Sequence, residues 1–288
     1  METAINTPIP NVRDLLRKYH LDPHKGLGQN FLVDRSVLLK IVRAAEVTPQ
    51  DRVLEIGAGL GSLTCVLAET ANHVVAVEID KKLIPVLKEV LAQFPNTEVV
   101  PGDMLEQDPA KLMGESDYIV VANIPYYITS ALIRHLLAGE CKPSRMVLTM
   151  QKEVAARICA KAGDYSLLAL SVQVFGTPEI VLNIPAGAFY PSPKVDSATL
   201  RIDLYPEPLI PAVNLDTFFQ LARIGFSQKR KTMRNTLAAG LHWSGDQAAA
   251  LLTSSGIDPG RRAQTLELTE WRTLVVEYLA LTNKKAGA

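Results

Sequence analysis

The chain has 288 residues, with 30 Lys and Arg against 30 Asp and Glu, 48% hydrophobic residues and 21% charged ones. That is an ordinary globular composition, long enough for one large domain and a smaller one, each with its own core, and it excludes disordered, collagen-like and coiled-coil chains. Zero net charge excludes a protein that holds nucleic acid by bulk charge, although the charge is partitioned: residues 201–288 carry 11 basic and 8 acidic side chains, and the first 200 residues carry 19 and 22.

The first 20 residues meet an acid early and never reach an apolar run, so they read as neither a signal peptide nor an anchor. Residues 51–56 (DRVLEI) then read as a strand, followed by a glycine turn and a helix over 62–68. A strand over 73–77 (HVVAV), a helix over 81–94 and a strand over 97–100 (TEVV) come next. Pro85 fits the start of that helix, with Asp80 as its N-cap. A strand over 118–122 (YIVVA), a helix over 129–137 and the run 145–150 (RMVLTM) complete the alternation. Strands alternating with helices predict a parallel, doubly wound α/β sheet covered on both faces. At Pro206 the pattern changes: PEPLIPAV reads as a linker and the remainder as helices, giving an α/β domain over 1–206 and an all-α domain over 207–288. Cys65, Cys141 and Cys159 contain no CxxC pair and read as reduced thiols of a cytoplasmic protein, with no metal site. No run approaches the ~18 apolar residues of a membrane span.

Chemistry concentrates at the carboxyl ends of the strands, where open α/β sheets bind ligands. Glu55-Ile56-Gly57-Ala58-Gly59-Leu60-Gly61 follows the first strand and opens a helix, so Gly57 and Gly59 allow a tight turn and a close approach of bare backbone to a ligand. A turn without any ligand would use the same glycines. Glu78 ends the second strand about 20 residues later, where a carboxylate can accept both hydroxyls of a ribose. Asp103 ends the third, placed for an adenine amino group or, equally, for capping a turn. The spacing is GxGxG and not the GxGxxG of dinucleotide binders, which makes a dehydrogenase the second choice. This run resembles motif I of the class I S-adenosylmethionine-dependent methyltransferases, in which Glu78 and Asp103 match the ribose and adenine positions. A cationic sulfonium without pyrophosphate suits an acidic rim.

The fourth strand ends in Asn123-Ile124-Pro125-Tyr126-Tyr127, which resembles motif IV (Asn-x-Pro-Tyr) of the N6-adenine methyltransferases. The resemblance implies that the Asn123 side-chain carbonyl and the Ile124 backbone carbonyl hold the amine hydrogens while Tyr126 stacks on a flipped base. Phe189, in Phe189-Tyr190-Pro191-Ser192-Pro193-Lys194-Val195, resembles the family's opposite aromatic wall. Gly28-Gln29-Asn30-Phe31-Leu32 resembles motif X, with Asn30 and Leu32, like Asn123, as cofactor contacts. The run 226–237 (FSQKRKTMRNTL) places Lys229, Arg230, Lys231 and Arg234 near Arg223 with no acid among them, either a solvated face or a phosphate-binding one.

Together these segments resemble the small-subunit ribosomal RNA adenine dimethyltransferases, the bacterial KsgA (RsmA) family, over nearly the whole chain. The resemblance implies a Rossmann-like, mostly parallel seven-stranded sheet with a smaller all-α C-terminal domain that binds RNA. It implies S-adenosylmethionine as cofactor and dimethylation of the N6 of two adjacent adenines in the 3′-terminal hairpin of 16S ribosomal RNA. The partner is then the 30S particle, met by a cytoplasmic monomer. Two alternatives stand beside it: a 23S ribosomal RNA adenine methyltransferase of the macrolide-resistance type, and a non-catalytic ribosome-assembly factor.

Overall fold

The computed structural model describes residues 9–114, 117–125, 128–139 and 141–286. A short helix α1 (Val12–Lys18) and a two-residue strand β1 (Phe31–Leu32) precede α2 (Arg35–Ala45), whose N-cap Asp34 accepts the N–H groups of Ser36 and Val37. The alternation follows: β2 (Arg52–Ile56), α3 (Ser62–Ala68), β3 (His73–Glu78), α4 (Ile84–Leu91), β4 (Thr97–Pro101), α5 (Pro109–Met113), β5 (Tyr118–Asn123), α6 (Thr129–Ala138) and β6 (Arg145–Gln151). After α7 (Lys152–Ile158) and α8 (Leu167–Gln173) come β7 (Gly176–Ile184), β8 (Phe189–Tyr190) and β9 (Ser197–Leu204). The chain ends in α9 (Leu215–Phe226), α10 (Met233–Leu241), α11 (Gly245–Ser254) and α12 (Leu268–Ala286). Among the described residues no helix is long and apolar enough to cross a membrane.

The seven-stranded sheet has the order β4-β3-β2-β5-β6-β9-β7, with β4 through β6 parallel and β9 antiparallel to β6. Parallel strands are covered on both faces, which is why β2 and β5 read as nearly continuous apolar runs. Val53, Leu54, Val120, Val121 and Ala122 are all fully buried. One of those faces is covered by α2, whose Val37, Leu38, Ile41, Val42 and Ala45 recur at helical spacing and join the core around Val53, Val121 and Val147.

Two sequence expectations shift. The second helix begins at Ile84 and not at residue 81: Pro85 occupies its first turn, and Asp80 closes a separate turn by accepting the Lys82 N–H at 3.0 Å. The contacts also divide the chain differently from a single break after 206. One compact unit takes the chain through Ala156 together with Thr177–Leu204; the other takes Arg157–Gly176 with the chain from Tyr205 onward. The intervening segment joins the helices because its backbone finds partners there: Gly163 donates to the Gln264 carbonyl at 2.9 Å, Tyr205 to that of Phe175 at 2.8 Å and Leu209 to that of Val174 at 2.9 Å. Such pairings are invisible to a reading in chain order.

The helical unit is built around Trp271, which is fully buried, with the Phe226 ring stacked at 6.2 Å and the Phe218 ring edge-on at 6.1 Å. Gly225 is what lets α9 approach it, since a Cβ there would lie 2.9 Å from Trp271 Cη2. Gly225→Ala gains about 1 kcal/mol of helix propensity but overpacks a buried ring at a cost of about 1–3 kcal/mol. The expected net result is a lower urea midpoint; a higher one would contradict this packing.

Candidate cofactor and acceptor site

The order β3-β2-β5 means that the sheet reverses direction of growth between β2 and β5, and parallel register sets Ile56 beside Ala122 and Val77. The residues that follow these positions leave the sheet side by side, forming the crevice in which open α/β sheets take ligands.

From Ile56 the backbone turns through three left-handed glycines, Gly57, Gly59 and Gly61, with φ of +77°, +60° and +84°. The turn is fastened to β3: the N–H groups of Gly57 and Ala58 donate to the Val77 carbonyl at 2.9 and 3.2 Å, and that of Gly59 to Glu78 Oε2 at 2.7 Å. Glu78 Oε1 accepts the Asp80 N–H at 2.8 Å, so this buried carboxylate fixes both the glycine loop and the exit from its own strand. Its pKa is raised, because burial outweighs those two hydrogen bonds. Loop and rim are close: a Cβ on Gly57 would lie 3.5 Å from the Asn123 carbonyl oxygen, and one on Gly59 would lie 3.1 Å from the Phe31 ring.

Asn123 ends β5, and its Nδ2 donates to the backbone carbonyl of Asn30 at 3.0 Å. A carbonyl can only accept, so this bond fixes which end of the amide faces the N-terminal loop and leaves Oδ1 as the end available to a ligand. Asn30 in turn donates from Nδ2 to the Gly28 carbonyl at 3.1 Å, and Gln29 Nε2 donates to Asp80 Oδ2 at 2.8 Å. The loop before β1 is thereby clamped to the ends of both β3 and β5. Ile124 is buried, with its N–H donated to the Thr149 carbonyl at 3.0 Å. Phe189 is reached through β8, which pairs with β1 so that Leu32 lies opposite Phe189 and Phe31 opposite Tyr190.

Two adjoining cavities result. One is lined by Asn30, Gly57, Glu78, Asn123, Ile124 and Phe189 among others, and the second shares Gly57, Gly59 and Asn123 with it and adds Leu32 and Glu55. Asn30, Leu32, Gly57, Gly59, Glu78, Asn123, Ile124 and Phe189 are therefore brought together. Tyr126 lies outside the described residues. Asp103 follows Gly102, whose N–H donates to the Glu78 carbonyl at 2.8 Å, and it does not line either cavity; its Oδ1 accepts the Leu105 N–H at 2.9 Å, the turn-capping use that its sequence context equally allowed.

The basic run differs from a single helical face. Arg223 is exposed in the last turn of α9, Lys229, Arg230 and Lys231 are exposed in the turn joining α9 to α10, and Arg234 lies in α10. Arg234 is engaged within its own unit, donating from Nε to the Gly245 carbonyl at 3.1 Å and pairing with Asp246 at 3.3 Å. Gln228 and Lys231 close the turn through a backbone bond of 2.9 Å, and this interruption of the helix is what displays the three neighbouring cations.

Glu55 is the site residue to which sequence reading gave no role, although a charge inside an apolar strand was its signal. It is 1% exposed and its Oε2 has no hydrogen-bond partner among the described residues. Burial pushes its carboxyl up to about 8, against the opposing effect of the Thr64 side chain and with the charge of Glu78 acting in the same upward direction. Between the ordinary value of 4.5 and about 8, the folded chain therefore holds a proton that the unfolded chain has lost, so stability falls as pH rises through that window. Glu55→Gln should flatten this decline, read as urea midpoints across the same pH range; an unchanged slope would assign the decline to other groups.

A family model described as ribosomal RNA adenine dimethylase matches residues 21–280. Relatives that carry the name ribosomal RNA small subunit methyltransferase A include the following two. The one from Dehalococcoides mccartyi (strain CBDB1) is 46% identical, covering 92% of each chain, and the one from Pelotomaculum thermopropionicum is 42% identical, covering 93% of this chain and 95% of the other. Among solved structures, a dimethyladenosine transferase from Plasmodium falciparum aligns with a TM-score of 0.76 at 28% identity, over 87% of this chain and 98% of that one. The 23S rRNA methyltransferase ErmE aligns with a TM-score of 0.69 at 30% identity, over 86% and 99%. The match spans the glycine loop, the Asn123 strand end and the helical unit alike, and on it the chain belongs to the ribosomal RNA adenine dimethylase family.

Proposed function

We propose that this chain dimethylates the N6 of two adjacent adenines in the 3′-terminal hairpin loop of 16S ribosomal RNA, acting as a cytoplasmic monomer on the 30S particle. The observation that carries this reading is the Asn123 amide, held by the Asn30 carbonyl so that its oxygen is left for a ligand in a cavity that also contains Phe189 and the glycine loop.

S-adenosylmethionine, when bound, supplies a methyl group activated on a sulfonium. The residues present fit it. Glu55 offers a buried carboxyl with an unpartnered oxygen, and Glu78 accepts two backbone N–H groups while a carboxylate has about four acceptor positions. Two buried acid groups suit a ligand with cationic groups and ribose hydroxyls. Asn30, Leu32, Gly57, Gly59, Glu78 and Asn123 would hold this ligand. Asp103 would complete the adenine end through the oxygen its turn does not use.

An exocyclic amine is a poor nucleophile because its lone pair is delocalised into the ring. Asn123 Oδ1 and the Ile124 carbonyl would accept its hydrogens, favour a tetrahedral nitrogen and aim the lone pair, so that positioning supplies most of the rate. Attack by the lone pair would take the methyl and leave the sulfur as a neutral thioether. Loss of one amine proton to solvent then leaves a single hydrogen on the nitrogen, for which either acceptor suffices in the second transfer. Tyr126 and Phe189 would stack on the splayed base, worth about 1–3 kcal/mol. Arg223 and the exposed Lys229, Arg230 and Lys231 would neutralise backbone phosphates without reading sequence, and Arg234 would support that turn through Asp246.

Labelled S-adenosylmethionine and undermethylated 30S particles should give label in 16S RNA. Label in 23S RNA from 50S particles would favour the reading suggested by the likeness to ErmE. In the same assay Asn123→Ala should lower transfer by about a hundredfold or more while changing cofactor affinity by calorimetry far less; equal loss of both would make the residue structural. Replacing Lys229, Arg230 and Lys231 by Ala should weaken RNA binding and make its salt dependence shallower; an unchanged slope would leave the turn as solvated surface.

A further inference from the structure

The helix α1 lies ahead of the family-matched segment, which begins at residue 21. Its apolar side is fixed: Val12 and Leu16 are 2% and 5% exposed and pack with Phe31, Leu60, Leu83 and Val86, beside the glycine loop and α4. Lys18 pairs with Glu89 at 3.0 Å and the Tyr19 hydroxyl donates to the same carboxylate, so the helix is pinned at its C-terminal end as well.

The remaining side lines an open groove of about 530 Å³, whose walls include Arg13, Arg17, His20, Asp22 and Tyr190. Arg13 and Arg17 stand one helical turn apart on the same face, their Cβ atoms ~6 Å from each other. The Arg13 guanidinium lies 4.8 Å over the Tyr190 ring, which holds the cation in a fixed place without neutralising it. Two carboxylates face these cations. Asp14 is 3.9 Å from Arg17 with both side chains well exposed and lies outside the groove wall; within the wall the two arginines face one carboxylate, Asp22. His20 follows the helix in the left-handed region, φ +52°, a position where glycine is the unstrained choice. Tyr190 is the neighbour of Phe189 on β8, so the groove and the acceptor cavity share that strand.

We propose that Arg13, Arg17 and His20 form a phosphate-binding groove for the RNA strand that flanks the adenine held against Phe189. This rests on the RNA-methylating reading above. Guanidinium forks bind phosphodiesters through paired charge-assisted hydrogen bonds, and their spacing of one helical turn suits successive phosphates of an extended strand. The groove reads no base; it sets the register in which the strand enters the cavity.

The test uses the full chain, a 16S 3′-hairpin RNA and intact 30S particles. The double variant Arg13→Ala/Arg17→Ala should raise KM for RNA about tenfold at moderate salt and reduce the slope of log K against log salt by about 1.4, that is ~0.7 per phosphate of a single strand. Arg17→Ala alone should remove about half of that slope change, and as an exposed side chain it has no packing to lose. His20→Gly should raise the melting temperature yet weaken RNA binding. A shift in kcat or in S-adenosylmethionine affinity with an unchanged salt slope would make α1 a strut for the cofactor loop and overturn the proposal. So would a loss seen only with whole particles and not with the hairpin, which would assign the groove to a ribosomal protein. A wild-type chain that transfers no methyl group to either substrate overturns the functional reading and this one with it; an active wild type matched by the variants overturns the groove alone.

Discussion

The placement of β2 between β3 and β5, all parallel, is the constraint from which the rest of the site follows. Strands in such a sheet lie ~4.8 Å apart, so the first residues beyond them have no freedom to be elsewhere. Gly57, Glu78 and Asn123 are neighbours because they end neighbouring strands. Burial on both faces restricts the strand interiors to apolar residues, which pushes hydrogen-bonding chemistry to the ends, where backbone N–H and C=O groups run out of ladder partners. The Glu78 carboxylate takes up two of those N–H groups, and the Asn123 amide anchors the loop before β1. Loop geometry and site polarity thus have the same cause.

Glu55 departs from that rule, being an acid inside the buried part of β2. Burial favours its protonated form at neutral pH, and the residue lines the cavity beside the glycine loop. A ligand bearing positive charge would stabilise the ionised form, so folding and ligand binding act on this proton in opposite directions. An acid here lowers the stability of the empty fold and raises selectivity for a cationic ligand over an anionic one, a local conflict of the kind found at functional sites.

What could be read from the chain was whatever is contiguous along it. The glycine loop, the strand ending at Asn123 and the Phe189 segment each carry their pattern within a few residues. The parallel alternation that places the first two follows from period and β-branching alone. What escaped depends on distant pairing. Asn123 meets Asn30 across 93 positions, and Gln29 meets Asp80 across 51, so the loop's fastening has no local signature. The segment Arg157–Gly176 holds the end of α7 and all of α8, and its allegiance is decided by backbone pairing with the later chain. The basic run looked continuous because charge has no period; Arg234 is set apart only by the approach of α11. Asp103 shows the reverse, a short turn preference taking one oxygen of a residue whose position at a strand end suggested a ligand.

Neutrality itself takes on a physical meaning once the charges have addresses. A chain with 30 charges of each sign has little long-range attraction for a polyanion, so weak non-specific association with RNA is suppressed. Two groups of exposed cations stand out against that background: the three in the turn between α9 and α10, and the pair on α1, where Arg13 lies over Tyr190 and Arg17 pairs with Asp14. Acid groups cluster instead at the cofactor rim, where Glu55 and Glu78 line the cavities and Asp80 fastens Gln29 beside them. On the proposed function, an RNA strand would be kept out of the cofactor crevice, and a base, which carries no charge, would leave the stack and enter alone. Segregating like charges in this way discriminates between the two substrates at one sheet edge without requiring that either be bound tightly.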